Sequence, residues 1–166
     1  MRAEPLESSD AFHLTAAKGW LELGNHIEAN NELEEIEPLN RAHPDVLEVR
    51  WQIYRRAGRF DACHEIAEAL KAKEPHLHRG TFYLAESLYH VGKIQEAYAE
   101  LAPSLERFPE AWAVHYDMAC YSCLLGRLDE ARAYLEKAFT LDGSNTAKLR
   151  ALDDPDLAAI WSEPKF

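Results

Sequence analysis

Apolar residues along this chain recur at the three- and four-residue spacing that places side chains on one side of an α-helix. The clearest stripe consists of Ile94, Ala97, Tyr98, Leu101, Leu105 and Phe108. Charged residues occupy most of the positions between them, and no stretch reads as a β-strand. The pattern therefore predicts a protein built from amphipathic helices.

Four glycines interrupt the helical pattern at a constant interval of 34 residues: Gly24, Gly58, Gly92 and Gly126. Glycine suits the end of a helix because it adopts positive φ without a Cβ clash. A small residue follows each glycine by five positions, at Ala29, Cys63, Ala97 and Ala131. A strict interval of this length indicates one helix–turn–helix unit copied four times.

On these features the chain resembles the tetratricopeptide-repeat family. The best match is residues 125–139, and Pro75 and Pro109 stand where the family closes a repeat. The resemblance covers about residues 10–145. It implies an all-α fold, a right-handed α-solenoid of stacked antiparallel helix pairs.

The expected organisation is a disordered tail at residues 1–9, four repeats at about 10–43, 44–77, 78–111 and 112–143, and a C-terminal capping helix and tail at 144–166. A terminal repeat needs a cap because no neighbour buries its outer face. The residues expected to cover that open end are Leu149, Leu152, Leu157, Ile160 and Trp161.

Prolines mark departures from the repeat. The second helix of the first repeat is expected to end near Glu37, and the next helix to begin at Pro44, since proline is tolerated in a first turn. Pro103 lies inside a predicted helix and should kink it. Arg50 stands where the family has a buried leucine, so the second repeat is expected to be shifted or polar there.

The charge of the protein restricts its partners. Of 166 residues, 18 are Lys or Arg and 29 are Asp or Glu, which gives a net charge of −11. Such a protein repels phosphate backbones, which argues against nucleic acid as the main partner. No apolar run reaches the ~20 residues of a membrane helix. Without a secretory signal, and with three cysteines, the protein is expected to be cytoplasmic with reduced thiols.

The resemblance also implies where a partner binds, because the first helix of each pair lines the concave face in this family. The groove residues expected on that basis are Gln52, Arg55, Arg56, Arg79, Phe82, Glu86, Tyr89, His90, Tyr116 and Cys120. Aromatic residues and arginine are the types that dominate binding hot spots. A groove for a peptide with apolar and acidic side chains is therefore the leading hypothesis; the alternative is that these aromatics pack between repeats.

Two local features bear on the groove. Arg50, Arg55, Arg56 and Arg59 form a basic cluster within the acidic sequence. Some family members grip the C-terminal carboxylate of heat-shock chaperones with a Lys, Asn and Arg clamp. The matching positions here carry Leu14, Lys18, Val49, Arg79 and Tyr83, so most of that clamp is missing.

Catalytic and metal chemistry has little support. Cys120 and Cys123 form a C-x-x-C with His115 nearby and His90 one repeat earlier. The pair falls within a helix rather than at a helix start, where a thiol would be activated. No phosphate-binding loop or nucleophile elbow is present. We predict a non-enzymatic interaction module without a cofactor; the alternatives are a self-associating scaffold, for which four tryptophans offer surface, and a thiol or metal protein.

Overall fold

The computed structural model describes residues 5–162, and within that range the chain is helical and has no β-strand. The helices are α1 (Ser8–Glu22), α2 (His26–Glu34), α3 (Pro44–Arg56), α4 (Phe60–Lys73), α5 (His78–His90), α6 (Ile94–Leu101), α7 (Ser104–Arg107), α8 (Trp112–Leu124), α9 (Leu128–Leu141), α10 (Thr146–Asp153) and α11 (Ala158–Ser162). Short 3₁₀ segments lie at Pro38–Asn40 and Pro155–Leu157. None of the described helices combines the length and apolarity that crossing a bilayer requires. The predicted all-α class is confirmed.

The repeated glycines end helices α1, α3, α5 and α8 in the left-handed conformation, with φ between 69° and 80°. At Gly58 the backbone forms a Schellman motif, in which Gly58 N–H donates to Arg55 O and Arg59 N–H to Tyr54 O. Gly126 and Arg127 repeat the arrangement. The small residues five positions later are fully buried, as their side-chain size predicts.

The chain forms two compact units, the first ending at Val91 and the second beginning at Gly92. In the first unit, α1 packs on α2, α3 on α4, and α4 on α5. Its core contains residues of α1, α2 and α3 and one residue, Ile36, from the segment after α2. Arg50 is not part of this core and is a partly exposed polar residue of α3. The core residues are Leu14, Ala17, Leu21, Ala29, Leu33, Ile36, Val46, Val49 and Ile53.

The contact between α4 and α5 depends on Gly80. A Cβ atom built on Gly80 would lie 2.6 Å from Lys71 Cα and 2.7 Å from Lys71 N. Real Cβ atoms do not approach backbone this closely, so only glycine permits this helix spacing. Gly80 stands outside the four-glycine series, and the repeat pattern gave it no role.

In the second unit, α8 is the central helix. It packs against α6, α9, α10 and the Pro155–Leu157 segment. Almost every residue of α8 from Val114 to Cys123 is therefore buried. A helix surrounded in this way has no free face for a ligand.

Prolines set several helix ends. α3 begins at Pro44, as predicted, whereas α2 ends at Glu34, before the expected Glu37. Pro103 separates α6 from α7, so the predicted kink is a break between two helices. Proline has no N–H to donate to the carbonyl of Ala99, which explains the break.

The two ends of the chain differ in part from the expectation. α1 begins at Ser8, so residues 8 and 9 of the expected tail are helical, while residues 1–4 and 163–166 lie outside the described range. Leu157 and Ile160 are buried as expected. Leu149, Leu152 and Trp161 are instead exposed, because α10 turns Ala147 and Ala151 inward.

Candidate functional site

Most of the predicted groove residues lie on α3 and α5, whose side chains meet in the first unit. Arg79 is at the centre of this meeting. Its guanidinium donates to Asp45 at 3.0 Å, Glu48 at 2.6 Å and Glu74 at 2.5 Å. Burial acts to lower the pKa of Arg79, but the hydrogen bonds to Glu74 and Asp45 and the charge of Glu48 raise it. Arg79 is therefore fully occupied within its own chain and is not available to hold a ligand carboxylate.

An aromatic stack lies beside this network. The rings of Trp51 and Tyr83 are 4.2 Å apart and nearly parallel, and Trp51 Nε1 donates to Ser87 Oγ at 3.0 Å. Tyr83 donates its hydroxyl proton to Glu48 at 2.7 Å, and burial together with that carboxylate raises the pKa of Tyr83. Gln52 also hydrogen-bonds to Tyr83. These contacts hold α3 against α5 and fix the positions of the exposed side chains that neighbour them.

The partly exposed residues of this region form what we call the α3–α5 face: Gln52, Arg55, Phe82, Glu86, Tyr89 and His90. Phe82 meets Tyr83 edge to face, with centroids 6.3 Å apart, and Tyr89 meets His90 at 5.0 Å. The His90 ring stacks on Phe60 at 4.2 Å. Aromatic rings held in this way lose little conformational entropy on binding a partner.

The electrostatics of the α3–α5 face do not favour an acidic ligand. Arg55 forms an ion pair with Glu86, and Arg79 is shared by Asp45, Glu48 and Glu74. Four carboxylates thus face two guanidinium groups. A ligand carboxylate would have to displace an internal partner, so apolar contact is the favourable interaction at this face.

Each arginine of the predicted basic cluster has a different interaction partner within the protein. Arg50 pairs with Glu34 at 2.8 Å and Arg55 with Glu86, while Arg56 donates to the Leu21 carbonyl. Arg59 lies with its guanidinium carbon 4.6 Å from the centroid of the Tyr54 ring. The four arginines therefore do not act as one patch.

Tyr116 and Cys120 do not belong to the α3–α5 face, which corrects the prediction for these two residues. Both lie in the second unit and are buried beneath the segment that follows α9. Tyr116 donates its hydroxyl proton to Asp154 at 2.8 Å, and the guanidinium of Arg150 lies 4.4 Å from its ring centroid. The C-terminal segment thus uses these side chains as packing partners.

The cysteines are in environments that disfavour the thiolate. Burial, followed by the charges of Asp154 and Asp117, raises the pKa of Cys120, and burial raises the pKa of Cys123. Metal-ligating atoms of Cys120, Asp154 and Asp156 lie within 4.8 Å of one another. Asp154, however, already accepts hydrogen bonds from Tyr116 and from the backbone of Asp156.

Among the described residues, the group of potential metal ligands that includes Cys120 contains neither Cys123 nor His115 of the predicted thiol–imidazole set. His115 Nε2 lies 2.9 Å from Pro109 O, and its other ring nitrogen is buried without a partner within the described residues. His90 belongs to the other unit and stacks on Phe60. The sequence could not indicate Asp154 and Asp156 as neighbours of Cys120, because their position depends on how the last segment packs.

Comparisons with known proteins address the fold. No protein-family model matches the chain. A relative, anaphase-promoting complex subunit 6 of Arabidopsis thaliana, is 28% identical over 101 residues. That match covers 60% of this chain and 18% of the relative, so the chain spans less than a fifth of that protein.

Two solved structures share the architecture over nearly the whole chain. TTC0263, described as a thermophilic TPR protein of Thermus thermophilus, superposes with a TM-score of 0.74 at 20% identity, covering 91% of this chain and 86% of that one. PilF of Pseudomonas aeruginosa gives a TM-score of 0.75 at 18% identity, covering 92% and 69%. The protein therefore has the tetratricopeptide-repeat fold.

Proposed function

We propose that this protein is a non-enzymatic protein-interaction module that binds a segment of a partner protein on its α3–α5 face. The observation that carries the proposal is the pair of partly exposed aromatic rings, Phe82 and Tyr89, each held edge to face by a neighbouring ring. Aromatic side chains are enriched among the residues that contribute most of the binding energy at protein interfaces. The tetratricopeptide-repeat fold and the partial likeness to a subunit of a protein complex support the same class of function.

The charge arrangement refines the partner chemistry. Because Arg55 and Arg79 are paired internally, we propose that the bound segment presents apolar side chains to Phe82 and Tyr89, and that acidic side chains are not required. This departs from the acidic peptide that the sequence suggested. It also separates this face from the carboxylate clamp of the chaperone-binding family members, whose arginine would have to be free.

The non-enzymatic part of the proposal has a chemical basis. A nucleophilic cysteine needs a lowered pKa, supplied by a helix start or a nearby cation. Burial raises the pKa values of the three cysteine thiols here instead. The net charge of −11 likewise supports a protein partner over a nucleic acid.

A second candidate function is self-association through the C-terminal segment. Leu149 and Leu152, three residues apart on α10, are 67% and 73% exposed, and Trp161 is 51% exposed. Apolar side chains of this size left in water are typical of surfaces that meet another molecule. In this reading the bound molecule is a second copy of the protein.

One experiment separates the two candidates. Tagged wild-type protein, a Phe82→Ala/Tyr89→Ala variant and a Leu149→Ala/Leu152→Ala control are incubated with lysate from cells that make the protein, together with a differently tagged copy of it. We expect partners recovered with wild type and with the control to be lost, at least tenfold, from the Phe82/Tyr89 variant. Equal recovery by all three proteins contradicts the α3–α5 face as the site. Self-association is supported if the differently tagged copy is recovered with wild type and with the Phe82/Tyr89 variant but not with the Leu149/Leu152 variant.

A further inference from the structure

A pocket on the first unit, away from the α3–α5 face, has chemistry that binding at that face does not use. It is an open cleft between α2, the C-terminal end of α3 and the turn from α3 to α4, with a volume of about 260 Å³. That volume is below the range of sites for drug-sized ligands or cofactors and suits a single side chain or a polypeptide terminus. The residues that line it are His26, Ile27, Asn30, Asn31, Glu34, Ile53, Tyr54, Ala57 and Arg59.

The pocket contains hydrogen-bonding groups that the protein itself leaves unused. Within residues 5–162, the side chains of His26, Asn30 and Arg59 form no hydrogen bond or ion pair with one another or with any neighbour. Among the described residues, the Arg59 side chain has one interaction, which is its stacking over the Tyr54 ring at 4.6 Å. Stacking orients a guanidinium while leaving its N–H groups free to donate to a carboxylate.

The pocket lining carries one guanidinium, that of Arg59, and one carboxylate, that of Glu34. Glu34 is the single carboxylate in the lining, and it is already held by Arg41 at 2.7 Å and Arg50 at 2.8 Å. The hydrogen bond from Arg50, with the charges of Arg50 and Arg41, keeps the pKa of Glu34 below its usual value despite partial burial. Glu34 thus has Arg41 and Arg50 as its ion-pair partners, and it forms no ion pair with Arg59.

We propose that this pocket binds a carboxylate of a partner protein, from an acidic side chain or a free carboxyl terminus, with Arg59 as the charged donor. Asn30 supplies an amide donor from α2. Ile27, which is 62% exposed, provides an apolar rim for the residue next to the carboxylate. The pocket shares α3 with the α3–α5 face, but none of the residues that line it belongs to that face.

The fourth repeat contains a matched arginine that is not free. Arg127 follows its glycine as Arg59 does, and its guanidinium carbon lies 4.8 Å from the Tyr98 ring centroid. Unlike Arg59, it donates to Gln95 at 2.9 Å and lies 3.8 Å from Glu130. Arg127→Gln is therefore a control for the loss of one surface arginine at the same repeat position.

The test is an NMR titration of the full-length protein with short peptides, following the side-chain amide signals of Asn30 and the Nε–H signal of Arg59. Three probes are used: a capped, amidated peptide with leucine before glutamate, its glutamine counterpart, and the glutamine peptide with a free C-terminal carboxylate. We expect saturable shifts with at least one carboxylate probe and none with the amidated glutamine probe. Which carboxylate binds identifies its source as side chain or terminus.

The variants decide whether Arg59 is responsible. Removing a charge-assisted hydrogen bond should weaken binding at least about tenfold in Arg59→Gln, while Arg127→Gln should bind like wild type. Equal binding by Arg59→Gln, no saturable shift with either carboxylate probe, or an equal response to the amidated glutamine probe overturns the proposal. Shifts confined to the backbone amide signals of Phe82 and Tyr89, recorded in the same titration, also overturn it, while supporting the α3–α5 face.

Discussion

Arg79 and Arg59 differ in one respect that decides what each is able to bind. Three carboxylates surround the Arg79 guanidinium, whereas Arg59 lies only over an aromatic ring. An arginine saturated by internal partners stabilises the packing of α3 and α5. An arginine stacked and otherwise unpaired is ready to meet an external anion.

The cysteines give a prediction at the same scale. Cys63, Cys120 and Cys123 are free and buried, and burial, the main cause, raises the pKa of Cys63 to about 11. Because the thiolate is the reactive form, we expect native protein at pH 7.5 to react with a disulfide reagent far more slowly than unfolded protein. The measurement is thiol release followed by absorbance, before and after denaturant is added. Rapid reaction of Cys120 or Cys123 in native buffer would show an accessible, activated thiol and support the thiol alternative.

The sequence predicted which helix carries the expected groove residues, but it did not predict the partners or the burial of their side chains. The resemblance placed Arg79, Phe82 and Tyr89 on one helix, and in the structure all three lie on α5. It did not show that Asp45 and Glu48, roughly one repeat earlier, would neutralise Arg79, since that depends on side-chain direction across two helices. The exposure expected for Tyr116 was wrong for a related reason: the segment that covers it lies beyond the last repeated glycine.

At the scale of helices, the spacing between α4 and α5 rests on Gly80. We expect Gly80→Ala to lower the free energy of unfolding by about 1–3 kcal/mol, because the added methyl group meets the Lys71 backbone. Gly19→Ala is the control, since Gly19 lies inside α1 and has no neighbouring atom within 4 Å of a built Cβ. That change should leave stability unchanged or raise it by up to about 1 kcal/mol.

Chemical denaturation of the three proteins measures both effects. A Gly80→Ala variant as stable as wild type would mean that α4 and α5 are not packed as described. Loss of stability in Gly19→Ala would point to a general intolerance of alanine for glycine and not to the α4–α5 contact.

Helix ends were more predictable than helix faces. The four glycines, the start at Pro44 and the interruption at Pro103 follow from local backbone chemistry, which the sequence states directly. The orientation of Leu149 and Leu152 on α10 does not follow from local backbone chemistry. Either side of such a short helix could pack against the rest of the protein. Ala147 and Ala151 pack there and leave Leu149 and Leu152 in water.

For the molecule as a whole, the net charge of −11 conceals two chemically different surfaces. The α3–α5 face offers aromatic rings beside a polar network in which four carboxylates pair with two arginines. The pocket at Arg59 offers a guanidinium without an ion pair, together with the side-chain amide of Asn30, which forms no hydrogen bond among the described residues. We propose that the α3–α5 face binds apolar side chains of a partner and that the pocket at Arg59 binds a carboxylate.

The central claim, that a partner lies against the α3–α5 face, is tested most directly by photo-crosslinking. A benzophenone-bearing phenylalanine replaces Phe82 in one protein and Leu149 in a control, and both are irradiated in lysate from cells that make the protein. We expect covalent partner adducts from position 82 and none of the same size from position 149. Adducts from position 149 alone, or the same adducts from both positions, would contradict binding at the α3–α5 face.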